Sequence, residues 1–413
     1  MKVIFISRYG SKNLGDELIV RELEKLLIDY TEAIYRFDYN LSFYNTLDES
    51  FQYSQHHPKS TKKKKSTYLK FIYRKYLRKT FMISVFRDYL NKKKAINNKN
   101  LATYREKIKD VDALIIGGGN AIFDTEKHSS SAFYFGLILK EAKKRGLPIF
   151  VINVGIGPFE TKSQINNTIE VLNMADYVTV RDKKSYDLIS DLNKGQRKLF
   201  QTVDPVIFLQ GIDKLKGEVK TIGINVMDIR LAEYTDDTYQ EYLFNLGKLI
   251  NYYLENTNYK ISVFCTEKLD VKAIEDLRLK VNTNSSRLQF ENFMDLKNTL
   301  LLFDKLDLLV GTRMHSTIVA LSKNIPFIGI SWQQKVTEFF KLTGFEENMV
   351  TLNGFISDYL CVTDRVDNLV EEYSINISKM NEKKEELKLM FDINSEVLKQ
   401  IELSTKMINN IKS

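Results

Sequence analysis

Short apolar runs recur along this chain and constrain its fold more than any other feature. Most are unbroken rather than alternating with polar residues, and many lead directly into a glycine or a charged residue. They are Val3–Ser7, Ala33–Phe37, Ala113–Ile116, Ile149–Val154, Tyr177–Val180, Thr221–Val226, Lys260–Cys265, Leu306–Val310 and Pro326–Ile330. Unbroken apolar strands with room for a helix between them are typical of parallel sheets that helices cover on both faces. The sequence therefore predicts an α/β fold.

Helical patterns occupy several intervals between these strands, namely Glu17–Asp29, Ser131–Arg145, Lys183–Leu192 and Tyr239–Glu255. The alternation stops at Phe208–Lys220, where glycines and lysines predict a linker. We therefore expect two doubly wound, Rossmann-like domains that face a cleft, the first over residues 1–208 and the second over residues 218–373. Residues 374–413 carry the pattern of charged helices, with a break near Asp392.

The region from residue 38 to residue 100 departs from this alternation and is interpreted as a basic helical insertion in the first domain. Within it, Ser66–Asn91 repeats apolar residues at three- or four-residue steps, beside a row of basic residues. A basic amphipathic helix rich in aromatic residues can lie on an anionic membrane surface. A solvated helix docked on its own domain fits the pattern equally well, and both interpretations stay open here.

The net charge of +8 is concentrated rather than spread over the chain. Lys59–Lys94 holds the basic excess, and Asp88 is its one acidic residue. The remainder of the chain has no such excess, which argues against a nucleic-acid surface spread over the fold.

Composition indicates a globular protein with ample core, since 43% of the 413 residues are apolar and 28% are charged. The two cysteines, Cys265 and Cys361, lie in apolar runs and predict buried thiols in a reducing compartment. No apolar run approaches the ~20 residues of a membrane span, and the N-terminal run is too short for a signal peptide. We expect a cytoplasmic protein, soluble or peripheral at the inner face of the cell membrane.

Arg313 and His315 form the most informative polar pair in the sequence. They follow the apolar run Leu306–Val310 after a glycine and open the next helical pattern. A helix N-terminus offers N–H groups and partial positive charge, arginine adds a planar set of donors, and histidine moves protons near neutral pH. The pattern predicts an anion site with a proton-transfer group. The alternative is a pair that only caps a helix.

Glycine-rich or polar loops follow several other predicted strands. The candidate residues in these loops are Asn13, Gly15, Asp16, Gly117, Gly118, Gly119, Asn120, Gly155, Gly157 and Arg181. Glycines let backbone N–H groups approach an anion or a ligand oxygen. Each loop alone could be a plain turn or a helix cap. Several of them at strand ends of the same sense favour a ligand site.

Taken in order, these residues resemble the polysaccharide pyruvyl transferase family. The resemblance rests on Gly10-Ser11-Lys12-Asn13-Leu14-Gly15-Asp16, Gly117-Gly118-Gly119, Gly155-Ile156-Gly157-Pro158, Val180-Arg181-Asp182, Asp204-Pro205, Arg313-Met314-His315-Ser316, Asn324–Ile330 and Lys335. Order and spacing agree from Val3 to about Gly344, apart from the insertion.

The resemblance implies two Rossmann-like domains arranged as in GT-B glycosyltransferases. It implies transfer of a pyruvyl group from phosphoenolpyruvate to sugar hydroxyls of a cell-surface polysaccharide or its precursor, which forms a ketal. By the same resemblance Arg181 and Arg313 bind the donor, together with the Gly117–Asn120 loop, and His315 is the acid–base residue. Asn13, Gly15, Asp16, Gly155, Gly157 and Lys335 are then expected to face the acceptor or the cleft.

The residue chemistry agrees with this expectation. Phosphoenolpyruvate is a small polyanion that arginines and helix N-termini suit, and His315 is the one candidate for delivering a proton to its methylene carbon. Asp16 or Asp182 could deprotonate the acceptor, but helix capping is the favoured role for both. No spacing of metal ligands is found, so we expect no metal and no cofactor besides phosphoenolpyruvate as co-substrate.

One departure from the family pattern affects the acceptor side. Ser331–Gln334 replaces a stretch that usually contains tyrosine before Lys335, so acceptor contacts are not carried over from the family. The acceptor sugar, and whether it is linked to a lipid, are left open.

Two other functions compete with pyruvyl transfer. A GT-B-type glycosyltransferase with a nucleotide-sugar donor would use the same glycine loops for a diphosphate, in exopolysaccharide or capsule synthesis. A non-catalytic scaffold docked on the membrane through Ser66–Asn91 would be expected to have lost Arg313 and His315, and their presence counts against it.

Overall fold

The computed structural model describes residues 1–11, 13–50, 81–194, 198–210, 219–281 and 285–412. The chain divides into two compact units. The first comprises Met1–Ser11, Ile19–Asp204 and Met390–Ser413, and the second comprises Lys12–Leu18 and Pro205–Leu389. The glycines of the predicted linker and most of the basic segment Ser66–Asn91 lie outside the described residues.

The first unit is built on an eight-stranded sheet with the order β3-β2-β1-β4-β6-β7-β8, and β5 pairs with β6. The strands are β1 (Lys2–Ser7), β2 (Ala33–Asp38), β3 (Phe43–Tyr44), β4 (Ala113–Gly117), β5 (Asn120–Asp124), β6 (Ile149–Phe159), β7 (Tyr177–Val180) and β8 (Leu199–Gln201). Every pairing in the described residues is parallel except that of β2 with β3.

Helices connect and cover these strands. The α-helices are Leu14–Ile28, which starts in the second unit, Leu47–Ser50, Phe81–Ile96, Lys99–Lys107, Ser131–Lys143, Lys162–Leu172, Lys183–Leu188 and Ile393–Lys412. Two 3-10 turns span Ile108–Asp110 and Ser190–Asn193. Capping side chains fix where several of these helices begin. Thr161 and Gln164 form a capping box, and Asp182 accepts the N–H of Ser185 at 2.7 Å.

The second unit has a six-stranded, all-parallel sheet in the order β11-β10-β9-β12-β13-β14. Its strands are β9 (Thr221–Asn225), β10 (Lys260–Phe264), β11 (Leu288–Phe290), β12 (Leu308–Gly311), β13 (Phe327–Ser331) and β14 (Met349–Thr351). This is the order of a Rossmann sheet, in which the chain reverses direction across the sheet between its first and fourth strands. The reversal here falls between β9 and β12.

The second sheet is covered by helices and short turns. The α-helices are Asp236–Asn256, Val271–Arg278, Leu296–Phe303, Met314–Ser322, Gln334–Thr343, Leu352–Ser357, Leu360–Glu371 and Tyr373–Phe391. The 3-10 turns are Pro205–Phe208, Ile229–Ala232, Lys268–Asp270 and Glu346–Asn348. No helix in the described ranges is both long and apolar enough to cross a membrane.

Burial explains why the strands are unbroken apolar runs. Val3, Ile4, Phe5 and Ile6 of β1 all have no exposed surface, and the same is true of Leu114, Ile115 and Ile116 of β4. Successive residues of a strand point to opposite faces, so burial of consecutive residues requires a covered sheet on both sides. The predicted α/β class with two Rossmann-like sheets is confirmed; the second sheet is all parallel, and the first is parallel except for β3.

The predicted helix break near Asp392 is present, but the two C-terminal helices do not form a separate segment. Tyr373–Phe391 packs within the second unit, where the Tyr373 hydroxyl donates to the Asp307 carbonyl at 3.2 Å. Ile393–Lys412 belongs to the first unit. Its buried Leu398 and Ile401 form an apolar face that the charged composition of the segment concealed.

Other differences concern short elements. The sequence analysis did not find β3, β5, β8, β11 or β14, which have at most five residues. The first helix begins at Leu14 rather than Glu17, and the helix predicted over Lys183–Leu192 ends at Leu188 and continues as a 3-10 turn. Strands this short contain too few residues to show a periodicity.

Candidate active site

The carboxyl edge of the second sheet, at the reversal between β9 and β12, contains Arg313. Asn225 ends β9, and its backbone carbonyl accepts the N–H of Thr312 at 3.2 Å. Its side-chain oxygen accepts the N–H of Arg313 at 3.1 Å. Asn225 thereby fixes the turn that starts the helix Met314–Ser322. Ligands of open α/β sheets bind at such a reversal, so the position of Arg313 is that of a ligand site.

Two carboxylates hold the Arg313 side chain. Asp270, which has no exposed surface, accepts from Nε at 2.8 Å and from Nη2 at 2.7 Å. Glu267 lies 3.0 Å from Nη1. Burial is the largest single influence and lowers the pKa of Arg313, but the hydrogen bonds to Asp270 together with the charges of Asp270 and Glu267 raise it above its ordinary value. Arg313 is therefore a fixed cation.

Sequence reasoning missed both carboxylates. Glu267 and Asp270 follow β10, and the Lys268–Asp270 turn leads into the helix Val271–Arg278. Because β10 pairs with β9, which pairs with β12, their carboxyl ends meet at one edge of the sheet. Acidic residues directly after Lys260–Cys265 were the available signal, but no glycine marked the turn.

His315 lies one residue into the same helix and is half-buried. Gly15 packs against it so closely that a methyl group at residue 15 would overlap the imidazole ring, with Nδ1 as the nearest atom. Glycine is therefore required at residue 15 so that the backbone can approach His315 closely, and not because of an unusual backbone angle. The structure therefore brings Gly15, Arg313 and His315 into one cluster within the second unit.

Asn13 joins this cluster through Glu267. The Asn13 side-chain amide donates to Glu267 Oε1, and the two residues also form an isolated β-bridge. Asn13 accepts the N–H of Asp16 at 3.2 Å and so caps the helix Leu14–Ile28. Asp16 is half-buried and close enough to Glu267 for its charge to raise the pKa of that carboxyl group. The predicted residues Asn13, Gly15 and Asp16 are thus together with Arg313 and His315.

Lys335 lies in the first turn of the helix Gln334–Thr343, after β13, and is half-buried. Its predicted role at the acceptor stays a prediction.

The first sheet has its own polar cluster at the reversal between β1 and β4. The Ser7 hydroxyl donates to the Gly117 carbonyl at 2.6 Å, and the Tyr39 hydroxyl donates to the Gly118 carbonyl at 3.0 Å. Gly118 and Gly119 have φ of 79° and 67°, a region that glycine adopts readily. The N–H of Gly118 donates to the Ile152 carbonyl at 3.1 Å, so this predicted anion-binding donor is already used.

Arg181 belongs to the same cluster and is also paired. It is 9% exposed, and its Nη1 donates to Asp204 Oδ2 at 2.7 Å. Its Nη2 lies 3.4 Å from Asn120 Oδ1. A Cβ at Gly155 would lie 2.5 Å from the same Asn120 oxygen, so glycine at residue 155 makes room for this contact. The structure brings Asn120, Gly155 and Arg181 together.

The strand β6 bends at an unusual residue. Asn153 is fully buried with φ of 55°, and the pairing of β6 with β7 shifts register between Val151 and Val154. Such a bulge bends the strand and re-aims the residues that follow. The Asn153 amide donates to the Val203 carbonyl at 2.8 Å. Gly157, with φ of 84°, lies further along β6, which continues to Phe159, so the prediction of a loop at Gly155 and Gly157 is wrong.

Arg8 is a third arginine that sequence reasoning missed. It follows β1, donates from Nη2 to the Asn120 carbonyl at 2.5 Å, and lies 5.4 Å from the centre of the Tyr39 ring. In contrast to Arg181 and Arg313, Arg8 forms no ion pair with any Asp or Glu in the described part of the chain. The sequence did contain a signal for Arg8, because this residue directly follows the predicted strand Val3–Ser7.

Within the described ranges, no group of three or more His, Cys, Asp or Glu residues is placed to hold a metal ion. The expectation that the protein needs no metal or cofactor stays a prediction.

The fold and these clusters define an α/β protein of two Rossmann-like units, with an arginine fixed by carboxylates at the carboxyl edge of each sheet. The chain belongs to the polysaccharide pyruvyl transferase family, whose sequence profile matches residues 13–334. It is 23% identical over 419 residues to the amylovoran biosynthesis protein AmsJ of Erwinia amylovora, covering 91% of this chain and 97% of AmsJ. The family predicted from the sequence is confirmed.

Solved structures with a similar fold include MnaA of S. aureus in complex with UDP, with a TM-score of 0.54 and 12% identity over 92% of this chain and 91% of that chain. Another is the UDP-GlcNAc 2-epimerase of Neisseria meningitidis bound to UDP-GlcNAc, with a TM-score of 0.54 and 11% identity over 98% of this chain and 100% of that chain. At such identities the likeness shows the fold alone.

Proposed function

We propose that this protein transfers a pyruvyl group from phosphoenolpyruvate to two hydroxyls of a saccharide, forming a ketal on a cell-surface polysaccharide or its precursor. The observation that carries the proposal is the cluster of Arg313, His315 and Gly15 at the reversal of the second sheet. The family supplies the reaction class, and the cluster supplies a fixed cation and a histidine side by side.

Arg313 keeps donors for a substrate although two carboxylates hold it. A guanidinium has five N–H bonds; Asp270 accepts two of them, and Glu267 forms an ion pair with Nη1 at 3.0 Å. Asp270 fixes the plane of the group, so the remaining N–H bonds are oriented before a ligand arrives. A planar set of N–H groups that is oriented in advance suits the carboxylate or phosphate of phosphoenolpyruvate.

Arg181, Arg8 and the Gly117–Asn120 loop are proposed to bind an anionic group of the donor. Asp204 neutralises Arg181, whereas Arg8 has only the Asn120 carbonyl and the Tyr39 ring beside it among the residues described. Arg8 therefore contributes the uncompensated positive charge at this edge of the first sheet. His315 is proposed to protonate the methylene carbon of phosphoenolpyruvate.

A thermal-shift comparison tests the donor. We expect phosphoenolpyruvate to raise the melting temperature of the wild-type protein and UDP to leave it unchanged. Arg313→Lys keeps the charge but loses the planar fork, so the shift with phosphoenolpyruvate should shrink. Stabilisation by UDP and not by phosphoenolpyruvate would instead support a glycosyltransferase, an alternative favoured by the UDP and UDP-GlcNAc complexes of the two similar folds.

The helix Phe81–Ile96 supports a second part of the proposal, contact with an anionic membrane. Its polar side faces the first unit, where Arg87 pairs with Glu126, and Asp88 accepts from the Ser130 hydroxyl at 3.3 Å. From Val85 onward several of its apolar residues face outward, with Phe86 and Tyr89 62% and 61% exposed. This arrangement is the inverse of an ordinary surface helix.

The outward face combines apolar and basic residues. Val85 and Leu90 lie beside Phe86 and Tyr89 at helical spacing, and Lys93 and Lys94 are exposed at the end of the helix. Apolar side chains that insert below lipid headgroups, next to lysines that attract anionic ones, are the pattern of an interfacial helix. We propose that the protein docks at the cytoplasmic face of the membrane, where a lipid-linked acceptor would be presented.

Co-sedimentation with phosphatidylcholine vesicles, with and without phosphatidylglycerol, tests this docking. We expect binding only to the anionic vesicles, and loss of binding at high salt. The triple variant Phe86→Ser, Tyr89→Ser and Leu90→Ser should lose binding, while Leu279→Ser, an exposed leucine of the second unit, should retain it. If the triple variant sedimented with anionic vesicles as well as the wild type does, membrane docking through this helix would be contradicted.

A further inference from the structure

Glu267 is held in the cluster through one of its two carboxylate oxygens. Oε1 accepts from the Asn13 amide and lies 3.0 Å from Arg313 Nη1. Oε2 has no hydrogen-bond partner among the residues that the structure describes, and the side chain is 18% exposed. One oxygen is therefore anchored and the other is left for a ligand.

The electrostatic surroundings favour a proton acceptor at this position. Burial raises the pKa of Glu267 above that of an ordinary glutamate, Arg313 lowers it, and Asp270 raises it again. His315 is close enough for its charge to influence the same carboxyl group. A carboxylate with a raised pKa is a better base at neutral pH, and an anionic donor bound nearby would raise that pKa further.

Two other carboxylates, Asp182 and Asp270, are occupied. Asp182 accepts the N–H of Ser185 through Oδ1 at 2.7 Å and its hydroxyl through Oδ2 at 2.9 Å. Asp270 is fully buried, and both of its oxygens accept from Arg313. Asp182 therefore caps its helix, as the sequence analysis favoured, and Asp270 fixes Arg313.

We propose that Glu267 is a catalytic base that accepts the proton of the attacking acceptor hydroxyl. The inference rests on the proposed pyruvyl transfer and assigns to Glu267 a step for which the sequence offered only Asp16 or Asp182, both favoured as helix caps. In the addition step, the acceptor oxygen bonds to C2 of phosphoenolpyruvate while its proton passes to Oε2 of Glu267. The C2=C3 electron pair takes a proton from the His315 imidazolium, and the methylene becomes a methyl group.

The second step restores both residues. The second hydroxyl oxygen bonds to C2 as the bond from C2 to the phosphate oxygen breaks, and the electron pair of that bond leaves with phosphate. The neutral His315 takes the proton of the second hydroxyl, and Glu267 returns its proton to the departing phosphate. The two hydroxyl protons are thus accounted for, one on the methyl carbon and one on inorganic phosphate.

The test compares wild type with Glu267→Gln, which keeps the shape and the Asn13 contact but cannot accept a proton. The substrates are phosphoenolpyruvate and polysaccharide extracted from a strain that lacks the gene, with phosphate release as the readout. We expect kcat to fall by about 100-fold, as for removal of a general base, while the Kd for phosphoenolpyruvate stays within about 3-fold. The acidic limb of the wild-type pH profile of kcat/KM, where activity falls as Glu267 becomes protonated, should be absent from the variant.

Glu291→Gln is the matched control, because Glu291 is another half-buried glutamate that directly follows a strand of the same sheet. It should retain wild-type kinetics. Wild-type kcat and an unchanged acidic limb in Glu267→Gln would overturn the role of Glu267 and leave pyruvyl transfer standing. A weaker Kd for phosphoenolpyruvate with an unchanged acidic limb would show a positioning role and would also overturn it. Absence of phosphate release in the wild type would contradict the proposed function itself.

Discussion

Arg313 and Asp270 form a two-point ion pair in which the carboxylate is fully buried and the guanidinium is 14% exposed. The pair joins the end of β12 to the turn after β10, across the intervening strand β9. Because Asp270 binds the guanidinium at two points, it sets the plane of that group before any ligand binds. The arginine predicted as an anion receptor is therefore one element of a charged cluster rather than a solitary cation.

Asp270→Asn is predicted to destabilise the protein by on the order of 3 kcal/mol, since the largely buried guanidinium then keeps only Glu267 as a counter-charge. Asp270 also accepts the N–H of Asp228 at 3.0 Å, so the loss extends to the turn after β9. Urea unfolding measures the change. Glu275→Gln, which alters an exposed ion pair at 3.9 Å, should change stability little. A loss below about 1 kcal/mol in Asp270→Asn would show that the pair contributes little to the fold.

Gly15→Ala is predicted to impair catalysis because the new methyl group overlaps the His315 ring. Displacement of a catalytic group by about 1 Å can cost about 100-fold in rate. Phosphate release from phosphoenolpyruvate and the extracted polysaccharide measures the loss. Gly136→Ala is the control, because a methyl group in that helix meets only the Val171 side chain, at 3.2 Å. Full activity of Gly15→Ala would argue against a fixed position for His315.

The thiol of Cys265 is predicted to be almost inert in the folded protein. The side chain is 2% exposed, and burial raises the pKa of Cys265 to about 12. At about pH 8 its thiolate fraction is then on the order of a thousandfold below that of a free cysteine. Labelling of a Cys361→Ser variant with a thiol reagent isolates Cys265. Reaction as fast as in urea would contradict this packing beside Glu267 and Asp270.

Asn394 is predicted to anchor the C-terminal helix in the first unit. It is fully buried, accepts from the Thr179 hydroxyl at 2.7 Å and donates to the Thr202 hydroxyl at 3.2 Å. Asn394→Ala leaves two buried hydroxyls without these partners and should cost about 2 kcal/mol. Urea unfolding checks this, with the exposed Ser404→Ala as the control. An unchanged midpoint in Asn394→Ala would mean that Asn394 does not anchor the helix.

The sequence identified the fold class because unbroken apolar strands have few alternatives to a covered parallel sheet. It also placed Gly15, Arg313 and His315 correctly at strand ends, since glycine and charge stand out against apolar runs. It missed Glu267, Asp270 and Arg8, because an acid or arginine after a strand looks the same as any surface charge. Only the pairing of β9 with both β10 and β12 makes neighbours of residues more than forty positions apart.

The division of the C-terminal helices between the units shows a second limit of prediction from the sequence. Residues 374–413 are rich in charge, and their apolar positions are too sparse to reveal which surface each helix covers. Contacts from Asn394 and Tyr373, both far along the chain from their partners, decide the assignment. Such contacts depend on tertiary structure and leave no local pattern.

The most direct test of pyruvyl transfer is to incubate the protein with phosphoenolpyruvate and polysaccharide extracted from a strain that lacks its gene, and to examine the product by NMR. Pyruvyl transfer predicts equal amounts of inorganic phosphate and of a new ketal methyl signal on the saccharide, and neither with His315→Ala. A saccharide without a ketal methyl signal while a nucleotide sugar is consumed, or full ketal formation by His315→Ala, would contradict the account.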